Sequence, residues 1–243
     1  MKKISEQIKT VNWLPILAFY GIILIGTYLA RQLPNLLNLI LTQLTDIPFS
    51  FNYNHGFVVL IVSFLAYRFS GIKQEITLLG NNKIKSILFP VILFTAYSIY
   101  GINNSHGVNI HLWALLTCSF AFIYNLMEEY AWRGYLIEST GTINYVLKSL
   151  ISGILWAIWH ILIFKNFDQY GGFWIFMAFC IVFSFILTFA VLRTKSIIVA
   201  AAMHAFIIQM NIVSLICFSL FILLLVTWNK KIMTKTKYSS RYN

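Results

Sequence analysis

The sequence predicts an all-α, polytopic membrane bundle of about eight transmembrane helices. Three observations carry that reading. Of 243 residues, 59% are hydrophobic and only 10% are charged, whereas soluble domains carry about 25% charged residues. The apolar residues fall in runs of the length that crosses a hydrocarbon core, about 20 residues in a helix. The basic residues gather at the ends of those runs, which is the topology signal of a membrane protein. The formal net charge of +11 therefore points to a lipid bilayer, and no nucleic-acid partner is expected.

The first run, 12–32, follows Lys2, Lys3 and Lys9. It begins like a signal peptide but exceeds an h-region of about 7–15 residues, and no A-x-A cleavage site follows. It is expected to stay as the first span. Between Pro34 and Asp46 a short interfacial helix is expected over 36–44. Runs at 53–70 and 85–102 follow, with Pro15 and Pro90 as kink points in the first and third spans. Further spans are expected over 112–137, 144–165 and 172–192. The last apolar stretch divides into 196–209 and 211–228 at a break near Gln209–Asn211. No repeat or low-complexity segment is visible, so 1–243 reads as one membrane domain, with its motif-bearing core over about 100–228. Cys118, Cys180 and Cys217 lie in apolar runs without paired spacing; they read as small buried hydrophobes.

Lys and Arg set the sidedness. With an inside N-terminus, the inner ends collect Lys2, Lys3, Lys9, Arg68, Lys73, Lys83, Lys85, Lys148, Arg193, Lys195, Lys230, Lys231, Lys235, Lys237 and Arg241. The outer ends hold Arg31 and Lys165. This bias places both termini in the cytoplasm and implies an even number of spans.

Against this background a few polar residues need a reason. Of seven acidic residues, Glu6, Asp46, Glu75, Glu138 and Asp168 lie in polar or connecting stretches, while Glu128 and Glu129 interrupt an apolar run. A charge near the bilayer centre costs roughly 2.5–3.5 kcal/mol on insertion scales, so an ionisable cluster there is a functional-site hypothesis by default. Arg133 follows Glu129 by four residues and shares its helix face. His160 and His204 stand in later apolar runs; His55, His106 and His111 fall in expected loops or at helix edges. At about 1.5 Å rise per residue, Glu129, His160 and His204 lie roughly 15, 24 and 12 Å above their inner loops. That spread is one that helix tilts of about 20° can close. A lone membrane histidine is most simply an interhelical hydrogen-bond partner. Two of them with a Glu pair and an Arg on three helices point instead to a shared site.

Such a site suits hydrolysis. Burial opposes ionisation of a carboxylate and a nearby cation favours it, the combination that tunes a general base. That base can activate water against a carbonyl, while histidines donate to the developing oxyanion or bind a metal. No serine or cysteine has an evident base partner, which argues against a covalent nucleophile.

At these residues the chain resembles the CAAX protease and bacteriocin-processing (CPBP) family of intramembrane endopeptidases. E-E-x-x-x-R is matched by Glu128, Glu129 and Arg133. An aromatic-x-x-x-His motif, usually with Phe, is matched by Trp156 and His160. His-x-x-x-Asn is matched in its first residue only, His204; Ile208 stands at the fourth position, and Asn211, at i+7, lies near the same face of a continuing helix. The resemblance covers about 100–210. It implies an eight-helix core, a cavity open to membrane and cytosol, and hydrolysis of a peptide or protein substrate. Glu128 and Glu129 would then be the water-activating pair, with His160 and His204 on the oxyanion and Trp156 and Asn211 in support. Zinc is an open cofactor question, with Glu129, His160 and His204 as the ligand set. An Ile-, Asn-, Lys- and Phe-rich composition suggests an AT-rich bacterial genome, and with it peptide maturation or bacteriocin self-immunity at the cell membrane. Two other classes stay open: an inactive membrane scaffold or immunity protein, for which Ile208 speaks, and an ion- or proton-coupled transporter. The latter lacks the broken helices in matching halves that such proteins show.

Overall fold

Each apolar run forms a helix in the computed structural model, which describes residues 4–47 and 51–229. Lys2, Lys3, Lys230, Lys231, Lys235, Lys237 and Arg241, which entered the sidedness reading, lie outside the described residues. In order the helices are α1 (Ile4–Lys9), α2 (Trp13–Gln32), α3 (Leu36–Leu44), α4 (Asn54–Ser70), α5 (Lys83–Tyr100), α6 (Ile110–Glu129), α7 (Leu136–Ser139), α8 (Tyr145–Trp159), α9 (Phe173–Thr194), α10 (Ile197–Ala205) and α11 (Ile212–Val226). Most starts are set by a side-chain oxygen accepting from the first-turn amides: Asn35, Asn82, Asn109, Asn144, Ser196 and Asn211. These residue types satisfy the orphan donors of a helix N-terminus. The isolated bridge Thr77–Ser196 ties the loop after α4 to the α9–α10 turn.

The bundle is helical and polytopic as expected, and two helix bounds are corrected. Of the eight long apolar helices, five are long enough to cross a bilayer: Trp13–Gln32, Lys83–Tyr100, Ile110–Ser139, Tyr145–Leu162 and Phe173–Thr194. Asn54–Ser70, Ile197–Ile208 and Ile212–Val226 are shorter. The α10 segment has nine α-helical and three 3-10 residues, about 20 Å in all, against a hydrocarbon core of about 30 Å. The expected single helix over 112–137 is interrupted by a π-helical turn, Tyr130–Tyr135. The expected helix over 144–165 gives way to a 3-10 turn, His160–Leu162.

Packing explains why the short α10 is tolerated. Every residue of it except Ile198 is buried, enclosed by α5, α6 and α9. Its ends meet protein rather than lipid, so its terminal backbone groups find partners. On the other side of α9 lies α8, held close by Gly153. A Cβ at Gly153 would stand 2.7 Å from the Ile181 Cα. Small residues at such crossings let membrane helices pack backbone to backbone.

Most of the basic residues within the structure lie at one end of the bundle. There the Gln7 side chain accepts from the Asn144 amide (2.8 Å). Lys85 donates to the carbonyls of Thr227 and Trp228, Arg193 to that of Leu225, and the Thr77 amide to that of Lys195. At the other end Arg31 donates to the Ile163 carbonyl (3.1 Å), close in sequence to Lys165.

Candidate active site

The site forms where α6, α8 and α10 meet. Glu128 and Glu129 are the last residues of α6, just before the π turn, and are 2% and 0% exposed. Such single π turns recur at functional sites because they re-aim side chains within an otherwise regular helix. Being adjacent, the two carboxylates point differently. Glu128 lines a cavity of about 210 Å³ together with Tyr124, Trp156, His160, Tyr170 and His204. Glu129 sits behind that wall. Its Oε1 accepts from His204 Nδ1 at 2.8 Å, and its Oε2 is 3.4 Å from Arg133 Nε.

Trp156 is the hub. Its indole N–H donates to Glu128 Oε2 at 2.8 Å. Its ring lies 4.7 Å from the Arg133 guanidinium, and edge-on to both His160 and His204, 5.2 and 5.0 Å away. Arg133 is fully buried and also donates to Ser184 Oγ (2.8 Å) on α9. The guanidinium is thus held between a carboxylate, a hydroxyl and an aromatic face, three interactions that stabilise a desolvated cation.

The histidine tautomers follow from their partners. His160 Nδ1 lies 2.8 Å from the Trp156 carbonyl, an acceptor, so Nδ1 carries the proton. His204 Nδ1 faces a carboxylate and carries its proton for the same reason. In both rings Nε2 is left for the cavity. His160 is caged by Trp156, Trp159, Phe164 and Phe176, with ring centroids 5.0–5.2 Å away. At the rim, burial raises the Tyr170 phenol above its ordinary range, which keeps it a neutral donor.

Glu128, Glu129, Arg133, Trp156, His160 and His204 therefore come together; Asn211 does not. The chain leaves the α-helix at Phe206–Ile208, which is 3-10, and Asn211 starts α11 instead. Its side chain accepts from the amides of Val213 and Ser214 in a capping box, and its Nδ2 donates to Gln209 Oε1. It lines a separate apolar cavity of about 420 Å³ between α9 and α11. The expectation that it continues the His204 face is corrected, because that face needs an unbroken helix. The same 3-10 turn has three residues per turn, so i+3 replaces i+4 as the residue that follows His204 along its face. Ile207, not Ile208, lines the site cavity, and it lines the larger apolar one too.

Of the expected metal set, His160 and His204 line the cavity, while Glu129 is fully buried behind it, with Oε1 on His204 Nδ1 and Oε2 beside Arg133. Among the described residues no group of three or more His, Cys, Asp or Glu gathers as a metal site.

One residue escaped the sequence reading. His55, expected in a loop or at a helix edge, is 4% exposed in the first turn of α4. Its Nε2 is 2.7 Å from the Tyr124 hydroxyl, and its ring packs on Trp159. Tyr124, one turn before Glu128, lines the same cavity as that carboxylate. His55 Nδ1 is buried without a partner. The only signal in the sequence was a histidine opening an apolar run.

Residues 107–210 match the family model described as type II CAAX prenyl endopeptidase Rce1-like, a little under half of the chain. The match includes Glu128, Glu129, Arg133, Trp156, His160 and His204. No curated protein and no solved structure matches the chain.

Proposed function

We propose that this chain, whose residues 107–210 form an Rce1-like domain, is an intramembrane endopeptidase in which Glu128 activates water. One observation carries the reading: Glu128 lines the same cavity as His160 and His204, while Glu129 is consumed in holding one of them. The two carboxylates thus take different roles. Glu128 accepts a proton from water, and the hydroxide adds to the scissile carbonyl carbon. The oxyanion is met by His204, whose imidazolium form donates from Nε2 while Nδ1–H stays on Glu129. Glu128 then passes its proton to the departing amine as the C–N bond breaks. Trp156 N–H and the Tyr124 hydroxyl orient Glu128; His160 accepts at Nε2 and holds water or a substrate N–H. Water activation of this kind contributes about 10²–10⁴-fold.

The substrate is a peptide or protein presented at the bilayer. The larger apolar cavity adjoins the site through Phe179 and Ile207, a route for an apolar segment. Peptide maturation or bacteriocin self-immunity in a bacterial cell membrane, with both termini cytoplasmic, is the setting we favour. Cleavage of candidate peptides by proteoliposomes tests the activity. Glu128→Gln should abolish turnover while the protein still inserts. Full turnover in that variant would overturn Glu128 as the base; unchanged immunity without turnover would favour the second reading, an inactive scaffold. The observation behind that reading is Ile207, which puts an apolar side chain where the resemblance calls for an amide donor.

A further inference from the structure

The basic end of the bundle holds another polar cavity, of about 360 Å³, which the proposed reaction does not use. Its walls come from the loop after α4 (Lys73, Glu75), from α7 and the turn after it (Glu138, Thr142), from α8 (Lys148) and from the α9–α10 turn (Lys195). It therefore sits at the root of the three helical segments that carry the Glu pair, His160 and His204.

Two observations point to an anion. Lys148 is only 9% exposed, and its ammonium donates to the Ile137 carbonyl (2.7 Å), Thr140 Oγ1 (2.9 Å) and the Gly141 carbonyl (2.7 Å). Its donors all go to neutral acceptors. The ion pairs among the described residues are Arg133–Glu129, His204–Glu129 and Lys195–Glu75, so no carboxylate is within ion-pair distance of Lys148, and Glu138 on the same wall acts on it only from further off. A buried charge with no counter-charge paired directly against it is costly. Independently, Lys195 is the one non-glycine with left-handed backbone among the described residues, at φ 55°. It closes α9, a position where glycine is the unstrained residue. Strain kept at a residue that faces a cavity signals a use for its side chain.

The two carboxylates on the walls do not fill this role. Glu138 Oε1 accepts from the amides of Glu75 and Ile76, and its Oε2 accepts from the Tyr67 hydroxyl (2.6 Å). Glu75 is exposed and reaches Lys195 at 3.3 Å, a surface pair of little strength that a stronger anion displaces.

We propose that this cavity binds a phosphate-bearing anion, the headgroup of an anionic phospholipid, with Lys73 and Lys195 as donors and Lys148 as the charge behind them. A headgroup is favoured over free phosphate because the cavity lies at the basic end of membrane helices, where an anionic leaflet concentrates that chemistry.

Thermal melts of the full chain in neutral detergent, titrated with phosphatidylglycerol, phosphatidylcholine or inorganic phosphate, test this without any assay of cleavage. Phosphatidylglycerol should protect at concentrations at which phosphatidylcholine does not. Lys73→Gln and Lys195→Gly should each weaken that protection about fivefold, the effect of one lysine at an anionic surface. Lys195→Gly should at the same time raise the melting temperature without lipid, since glycine relieves the backbone; loss of the lipid effect is then not loss of the fold. Lys83→Gln, an exposed lysine at the same end, should leave the protection unchanged. Equal weakening by Lys83→Gln, or none by the two cavity variants, would overturn the site. Protection by inorganic phosphate alone would overturn the lipid as its source.

Discussion

At the scale of single residues, Trp156 departs from the phenylalanine that the family resemblance leads one to expect, and the departure has a use. A phenyl ring could pack on Arg133 and both histidines but could not donate to Glu128. Trp156→Phe should therefore keep the fold and lose one hydrogen bond to a charged group, about 1.5–3 kcal/mol, or roughly 10–100-fold in kcat/KM. The melting temperature, measured alongside, should barely move. The Glu pair separates the same way. Glu128→Gln should remove turnover with little change in stability. Glu129→Gln should lower both, because it leaves the fully buried Arg133 without its carboxylate; breaking a buried pair costs about 3–5 kcal/mol. Equal stability of the two variants would argue against the division of roles. Tyr124→Phe and His55→Phe should slow turnover in the same proportion if the two side chains act on Glu128 as one chain.

At the scale of elements, the 3-10 turn after α10 decides which position could supply the missing amide. Because Ile207 and not Ile208 lines the site cavity, Ile207→Asn should raise turnover by up to ~10²-fold, the value of one oxyanion donor. Ile208→Asn should do little. The reverse ranking in a peptide-cleavage assay would mean that the helix continues as α in the working enzyme. The α8–α9 crossing makes a separate point. Gly153→Val should force those helices apart, since the added carbon meets Ile181 backbone rather than a movable side chain. A drop in melting temperature should accompany loss of activity, because His160 is carried by α8 and its aromatic cage partly by α9.

At the scale of the whole molecule, helices outside the Rce1-like match hold the site in place. Tyr20 of α2 donates to the Leu155 carbonyl (2.8 Å), and Trp159 donates to Thr27 of α2 (2.9 Å). The first helices, which contributed only hydropathy to the sequence reading, thus clamp α8 from behind. Sidedness is a property of this scale too. Cysteines placed at Thr142 and Ser105 lie in loops at opposite ends of the bundle. A membrane-impermeant thiol reagent added outside intact cells should label Ser105→Cys and not Thr142→Cys. The opposite pattern would reverse the cytoplasmic assignment of the basic end. The native cysteines are buried and free, so the background should be low.

The amino-acid order by itself was enough for the helical membrane class, the short helix at 36–44, the break near Gln209–Asn211 and the choice of Glu128, Glu129, Arg133, His160 and His204, which the fold gathers in one place. Each of these is a local property. Apolar runs and polar interruptions are costs that a bilayer levies residue by residue, and Asn or Ser caps act within one turn. Only the tertiary structure decided which glutamate faces the cavity, which isoleucine stands where an amide was expected, and that His55 belongs near the site. These depend on helix geometry and on contacts such as His55–Tyr124, 69 positions apart in the chain. A π turn or a 3-10 turn changes which side chains share a face by a fraction of a turn, and the packing that selects such turns leaves no periodicity in the sequence.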